Sequence, residues 1–142
     1  MKSLLLLLCL LPLASIHADE TDTRQPIVLT DSERNLILAE MRTFLQTVQA
    51  ITGALAQNDL ATVADSARKA GRAAQQAMPA GLAQKLPLPF RQLGSDTHRR
   101  FDQLALNARD LEDTQLALEE LARLLQNCTA CHDSYRLERY TD

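Results

Sequence analysis

Apolar residues spaced by alternating steps of four and three constrain this chain more than any other feature. Ile37, Met41, Phe44, Val48, Ile51 and Leu55 follow that rhythm, which lines one side of an α-helix and fits no strand. Similar spacing returns three times. Leu60, Val63, Ala67, Ala70, Ala74 and Met78 form a second stripe, noticeably small in its middle. Phe90, Leu93, Thr97, Phe101, Leu104, Ala108 and Leu111 form a third, and Leu118, Leu121, Leu125, Cys128, His132 and Tyr135 a fourth. Thr30-Asp31-Ser32-Glu33 matches a capping box that opens a helix running to about Gln57. Asp59 suits the cap of a second helix, about Leu60 to Met78. Pro79 to Pro89 makes the longest connection, before a third helix from about Phe90 to Leu111 with a break expected near Gly94-Ser95. Asp113 would cap a fourth, reaching about Glu138. Aromatics are 4% and Trp is absent, while Ala and Leu abound, which favours packed helices over a sheet. The expected fold is all-α, an antiparallel four-helix bundle.

The N-terminus carries a different signal. Met1-Lys2 is followed by an almost unbroken apolar run from Leu4 to Leu13, then Ala14-Ser15-Ile16-His17-Ala18 before Asp19-Glu20. A positive start, a short apolar stretch and a small residue at its end describe a secretory signal peptide, residues 1–18, cut after Ala18. The run is too short for a membrane span, which needs about 20 apolar residues. Cys9 is expected to leave with the signal. Residues 19–29 are polar and Pro-containing and suggest a flexible tail, leaving residues 30–142 as one domain. The formal charge of −3 is mildly acidic, and no basic cluster exceeds Arg99-Arg100, which excludes nucleic acid as an expected partner.

Near the other end stands Cys128-Thr129-Ala130-Cys131-His132, the attachment signature of c-type haem. Two thiols one turn apart can each add across a vinyl group of the same porphyrin, and the imidazole beside the second can ligate the iron. On a helix all three side chains project from one side. Competing readings fit less well. A thioredoxin-like dithiol opens a helix after a strand, and no strand pattern precedes this one. Structural zinc would need a second ligand pair, yet the other histidines are only His17 and His98. A disulfide between thiols three apart on a helix is poorly placed, although export keeps it open. Bacterial c-type attachment takes place outside the cytoplasm, so the signal peptide and the pentad support each other and point to the periplasm.

The stretch Cys128 to Arg136 resembles the Cys-x-x-Cys-His-x-x-Tyr-Arg ending of class II c-type cytochromes, the cytochrome c′ and cytochrome c-556 group. Helix order and length resemble that family along the whole mature chain. The resemblance implies one covalent haem c on the last helix, with Cys128 and Cys131 as thioether attachments and His132 as proximal iron ligand. Arg136 matches a basic residue placed near the proximal haem face, and is equally suited to a solvated cation at a helix C-terminus. The first helix would cover the distal face, with Met41 next to the iron. Leucine at that position leaves iron five-coordinate and open to gases, whereas methionine can ligate and suits electron transfer. This chain departs from the family in carrying Ile37-Leu38 where an Arg-Gln pair is common. His98, otherwise expected at a surface or boundary position, and Met78 are the rival distal ligands.

Two functions follow: a periplasmic electron-transfer cytochrome with His132/Met41 iron, or a five-coordinate protein binding nitric oxide or carbon monoxide. From another class comes a non-haem exported helical interaction module. No nucleophile–base constellation suggests an enzyme. Expected partners are a redox protein or a small gas, together with the haem-attachment machinery, with no membrane span in the mature chain. Relatives often dimerise through the first two helices, so a homodimer is allowed.

Overall fold

Thr30 opens the first long helix as its sequence suggests. In the computed structural model, which describes residues 22–75 and 78–140, its hydroxyl accepts from Glu33 N at 3.3 Å, while the Glu33 carboxylate accepts from Thr30 N at 3.1 Å. Helix α1 then spans Asp31–Leu55. Asn58 turns the chain with φ 54°, a left-handed conformation that asparagine tolerates better than most residues. Asp59 caps α2 (Leu60–Lys69), accepting from Thr62 N at 3.0 Å. The short helices α3 (Arg72–Gln75) and α4 (Ala80–Lys85) follow. Helix α5 (Leu88–Asp110) leads through Glu112, also left-handed, to α6 (Thr114–Ser134), which Asp113 caps through Leu116 N at 3.0 Å. Helix α1 packs on α2, α2 on α5, and α5 on α6, whereas α1 and α6 touch only sparsely. The chain is mostly helical, and among the described residues no helix is long and apolar enough to cross a membrane. Residues 1–18, read as a signal peptide, lie outside the described residues, as do 19–21 of the expected tail.

The main core joins one side of each long helix: Ile51 and Leu55 from α1, Val63 and Ala67 from α2, Phe101 and Leu104 from α5, Leu121 and Leu124 from α6. Burying each large side chain contributes about 1.5–3 kcal/mol. Ala64 and Ala67 of α2 and Ala70 just after it are fully packed against their neighbours. The small stripe of the second helix therefore serves close helix approach.

Four expectations need correction. The second helix does not run to Met78: it breaks at Ala70-Gly71, where the Asp102 carboxylate crowds Gly71 and accepts from Arg72 N at 3.2 Å. Helix α5 continues unbroken through Gly94. The buried line of α6 is Ala117, Leu121 and Leu124, whereas Leu118 is 50% exposed and Leu125 36%, and Leu111 is exposed too. Two apolar lines one position apart share Leu121 and Cys128, so spacing alone could not choose between them.

The fourth correction concerns both ends of the chain. Part of the expected loose tail forms strand β1 (Gln25–Leu29), and the expected last turn of the fourth helix is strand β2 (Tyr135–Arg139). They pair in parallel, Gln25 opposite Tyr135 and Leu29 opposite Arg139. Ile27 and Leu29 alternate with exposed Pro26 and Val28, the period-2 pattern of a half-buried strand. They bury in a second, smaller core with Ile37, Leu82 and Leu86, against which Met41, Phe90 and Tyr135 pack.

Candidate functional site

Where α1 and α6 separate, a cavity of about 440 Å³ opens between them and the start of α5. Ligand pockets for organic molecules are typically about 300–1,000 Å³ and mainly apolar. Leu38, Met41, Leu45 and Val48 form its α1 wall, Phe90, Leu93 and Gly94 its α5 wall, and Leu125, Cys128, Cys131 and His132 its α6 wall. The pentad's three reactive side chains and Met41 thus face one space, although 87 positions separate Met41 from Cys128. No α2 residue lines it.

Local structure explains how the thiols are held. Asn127, immediately before Cys128, donates through Nδ2 to Asp96 Oδ2 at 2.8 Å. Arg100 Nε donates to the same oxygen at 2.5 Å, and Arg99 Nε to Oδ1 at 3.1 Å. Arg100 first, then Asn127, hold the Asp96 carboxyl far below the usual carboxylate range. This charged knot ties α5 to α6 one residue from the first cysteine. Cys128 and Cys131 are both half-buried free thiols. Burial pushes the Cys128 thiol up, and burial together with Cys128 pushes Cys131 to about 11. Both stay protonated at neutral pH, unlike the depressed thiolates of redox dithiols. His132 is exposed at the cavity rim.

The rival ligands lie elsewhere. His98 is 2% exposed, which corrects the surface position expected for it. Its Nδ1 is 2.8 Å from the Ala70 carbonyl and its Nε2 is 3.2 Å from Glu40 Oε1. Both ring nitrogens therefore face acceptors, and neither lone pair is free for a metal. Burial alone would lower the His98 pKa, but the Glu40 carboxylate and the Ala70 carbonyl raise it overall. Phe44 covers the ring at 5.0 Å. His98 and Met78 line a separate hollow of about 170 Å³, divided from the larger cavity by Glu40 and Phe44.

Arg136 is not brought to the cavity. Because the helix ends at Ser134, Arg136 lies on β2, where Nε donates to the Arg24 carbonyl at 3.2 Å and Nη1 pairs with Glu138. The cavity's charged lining residues are instead Glu40 and Arg42 on α1. Sequence reasoning passed over both, because charges off the apolar stripe ordinarily face water. It read Gly94 only as a helix break. A Cβ there would meet nothing within 4 Å, so this glycine leaves room in the cavity wall. No protein-family model, curated protein or solved structure matches the chain.

Proposed function

We propose that this protein is an exported c-type cytochrome whose long helices α1, α2, α5 and α6 form an antiparallel four-helix bundle, carrying one haem on α6 and transferring single electrons. Cys128 and Cys131 would hold the group by thioethers, with His132 and Met41 as its two iron ligands. The observation that supports this most is that all four line one apolar cavity, while His98 and Met78 line another. Bound haem supplies a ferric/ferrous one-electron couple.

The chain's own residues prepare for that role. Cys128 and Cys131 are half-buried free thiols on the cavity wall, where each would supply the sulfur of a thioether. Leu38, Val48, Phe90 and Leu93 would exclude water from a bound haem and lower the local dielectric, one of the levers that set a haem potential. Met41 packs against the second core as well as lining the cavity, which would restrain its thioether. Fixed ligands limit reorganisation between oxidation states, which favours electron transfer over gas binding. Gas binding remains the second reading, favoured by the same apolar α1 wall if the thioether leaves the iron open.

The two are separated by the optical spectrum of the haem-loaded protein and its Met41→Leu variant. Methionine ligation gives low-spin ferric iron with a weak far-red thioether band, which Met41→Leu should abolish while keeping covalent haem. An unchanged spectrum in the variant rules out Met41 as a ligand, and high-spin wild-type iron that binds carbon monoxide readily supports the second reading.

A further inference from the structure

Helices α1 and α6 carry the two proposed ligands yet touch each other only sparsely, being joined mainly through α2, α5 and the main core, so their spacing at the cavity depends on other elements there. We propose that residues 22–29 are that device: Arg24 is a positioning residue for His132, and strand β1 anchors the small core that holds Met41. This rests on His132 and Met41 being the iron ligands.

The contacts run to both walls. Arg24 Nη1 donates to the main-chain carbonyl of His132 at 3.3 Å, one of the last carbonyls of α6 that the helix itself leaves without a partner. A guanidinium there also opposes the negative end of the helix dipole. Arg24 is itself held. Its Nε and Nη2 meet the two Asp22 oxygens at 2.9 and 2.7 Å, and its carbonyl receives Arg136 Nε at 3.2 Å. Hydrogen bonds from Arg24 hold the Asp22 carboxyl down at about 2, so the pair stays ionised around neutral pH. Directly behind, the parallel ladder runs from Gln25 opposite Tyr135 to Leu29 opposite Arg139, and Tyr140 N closes it on the Leu29 carbonyl at 2.8 Å. On its inner side β1 buries Ile27 and Leu29 in the core that Met41 and Phe90 pack against. One segment of eight residues thus grips the backbone of one ligand and the bed of the other.

If the segment only added stability, its loss would lower the melting temperature and leave the electronic structure of the folded protein alone. If it positions ligands, the spectrum and potential must move. The test uses haem-loaded full-length protein as wild type, Arg24→Ala, Arg24→Lys and Ile27→Ala. Haem content, ferric spin state, midpoint potential and melting temperature are measured for each. Arg24→Ala should keep covalent haem but lose low-spin character and shift to lower potential, since a nearby cation favours the ferrous form. Arg24→Lys should restore both, because a lysine can still donate to the His132 carbonyl. Ile27→Ala should weaken the thioether band at intact haem content. An Arg24→Ala protein whose spectrum and potential match wild type overturns the proposal, whatever its melting temperature. Colourless wild type would defeat the haem reading itself and this inference with it. Haem-loaded wild type beside an unaltered Arg24→Ala would defeat the positioning role alone.

Discussion

At the end of the helical body that carries the Asn58 and Glu112 turns, Ile51, Val63, Leu104 and Leu121 pack among alanines and are almost fully buried, beneath a half-polar surface groove of about 500 Å³ lined by Asn58, Asp59, Arg109 and Glu112. At the other end, Leu38, Met41, Phe90 and Leu93 continue the apolar rows of α1 and α5 but stand around an opening of about 440 Å³. The closed end is packed in the manner of ordinary protein interiors, whose density matches organic crystals. The open end forgoes that density. Sealed and unfilled, a hole of this size would cost on the order of 10 kcal/mol at about 24 cal/mol per Å³, comparable with the entire stability of a small domain. The same periodicity thus serves packing in one place and the lining of a cavity in the other.

Removing both thiols should have the largest effect on this contrast. Cys128→Ala combined with Cys131→Ala is expected to lose covalent haem and leave the open end poorly ordered, seen as a broadened thermal transition and reduced helical circular dichroism. A stable, sharply melting double mutant would mean that side chains alone suffice there. Next comes Leu104→Ala at the closed end, where the side chain is 0% exposed. It should cost about 2–5 kcal/mol in denaturant unfolding while leaving the spectrum of the haem-loaded protein unchanged. A spectral change would show that the two ends are coupled.

The pH dependence sharpens the comparison further. Asp96, beside the open end, is held ionised well below the usual range by Arg100 and Asn127. Its folded carboxyl therefore takes up a proton less readily than the unfolded chain's, near 3.9. The stabilisation is complete above that pH and is lost as pH falls through the folded value. Asp96→Asn should be less stable than wild type at neutral pH, with the difference shrinking below about pH 4; a gap that stays constant with pH in urea titrations would contradict this. The smallest effect is expected at Gly94, whose missing Cβ would project into open space within a continuous helix. Gly94→Ala should stabilise the protein without haem by about 0.5–1 kcal/mol, whereas Gly94→Leu should hinder haem loading.

Features written in neighbouring residues were legible before any coordinates. The Thr30 capping box, the Asp59 and Asp113 caps and each step of the α1 stripe rest on residues within about one turn of each other. What was hidden depends on partners far along the chain. Ile27 and Leu29 are two alternating residues, too few to announce a strand, and their partners lie more than a hundred positions away. His98 looked like a surface residue because Glu40 and the Ala70 carbonyl, which make its burial tolerable, sit on other helices. Arg136 was placed by continuing a helix that strand pairing ends at Ser134. Gly94 carried the helix-breaking signal expected of glycine, but α5 packs on the main core through Phe101, Leu104, Ala105 and Ala108 and on the smaller core through Phe90, and it continues through Gly94.

The most direct test is the mass of the purified protein after expression with a working haem-attachment system. The expected result is a coloured protein whose mass exceeds that of the polypeptide by one haem, with the colour remaining on the protein through acid–acetone extraction. A colourless product of bare polypeptide mass, or a pigment that extraction removes, would contradict covalent attachment at Cys128 and Cys131.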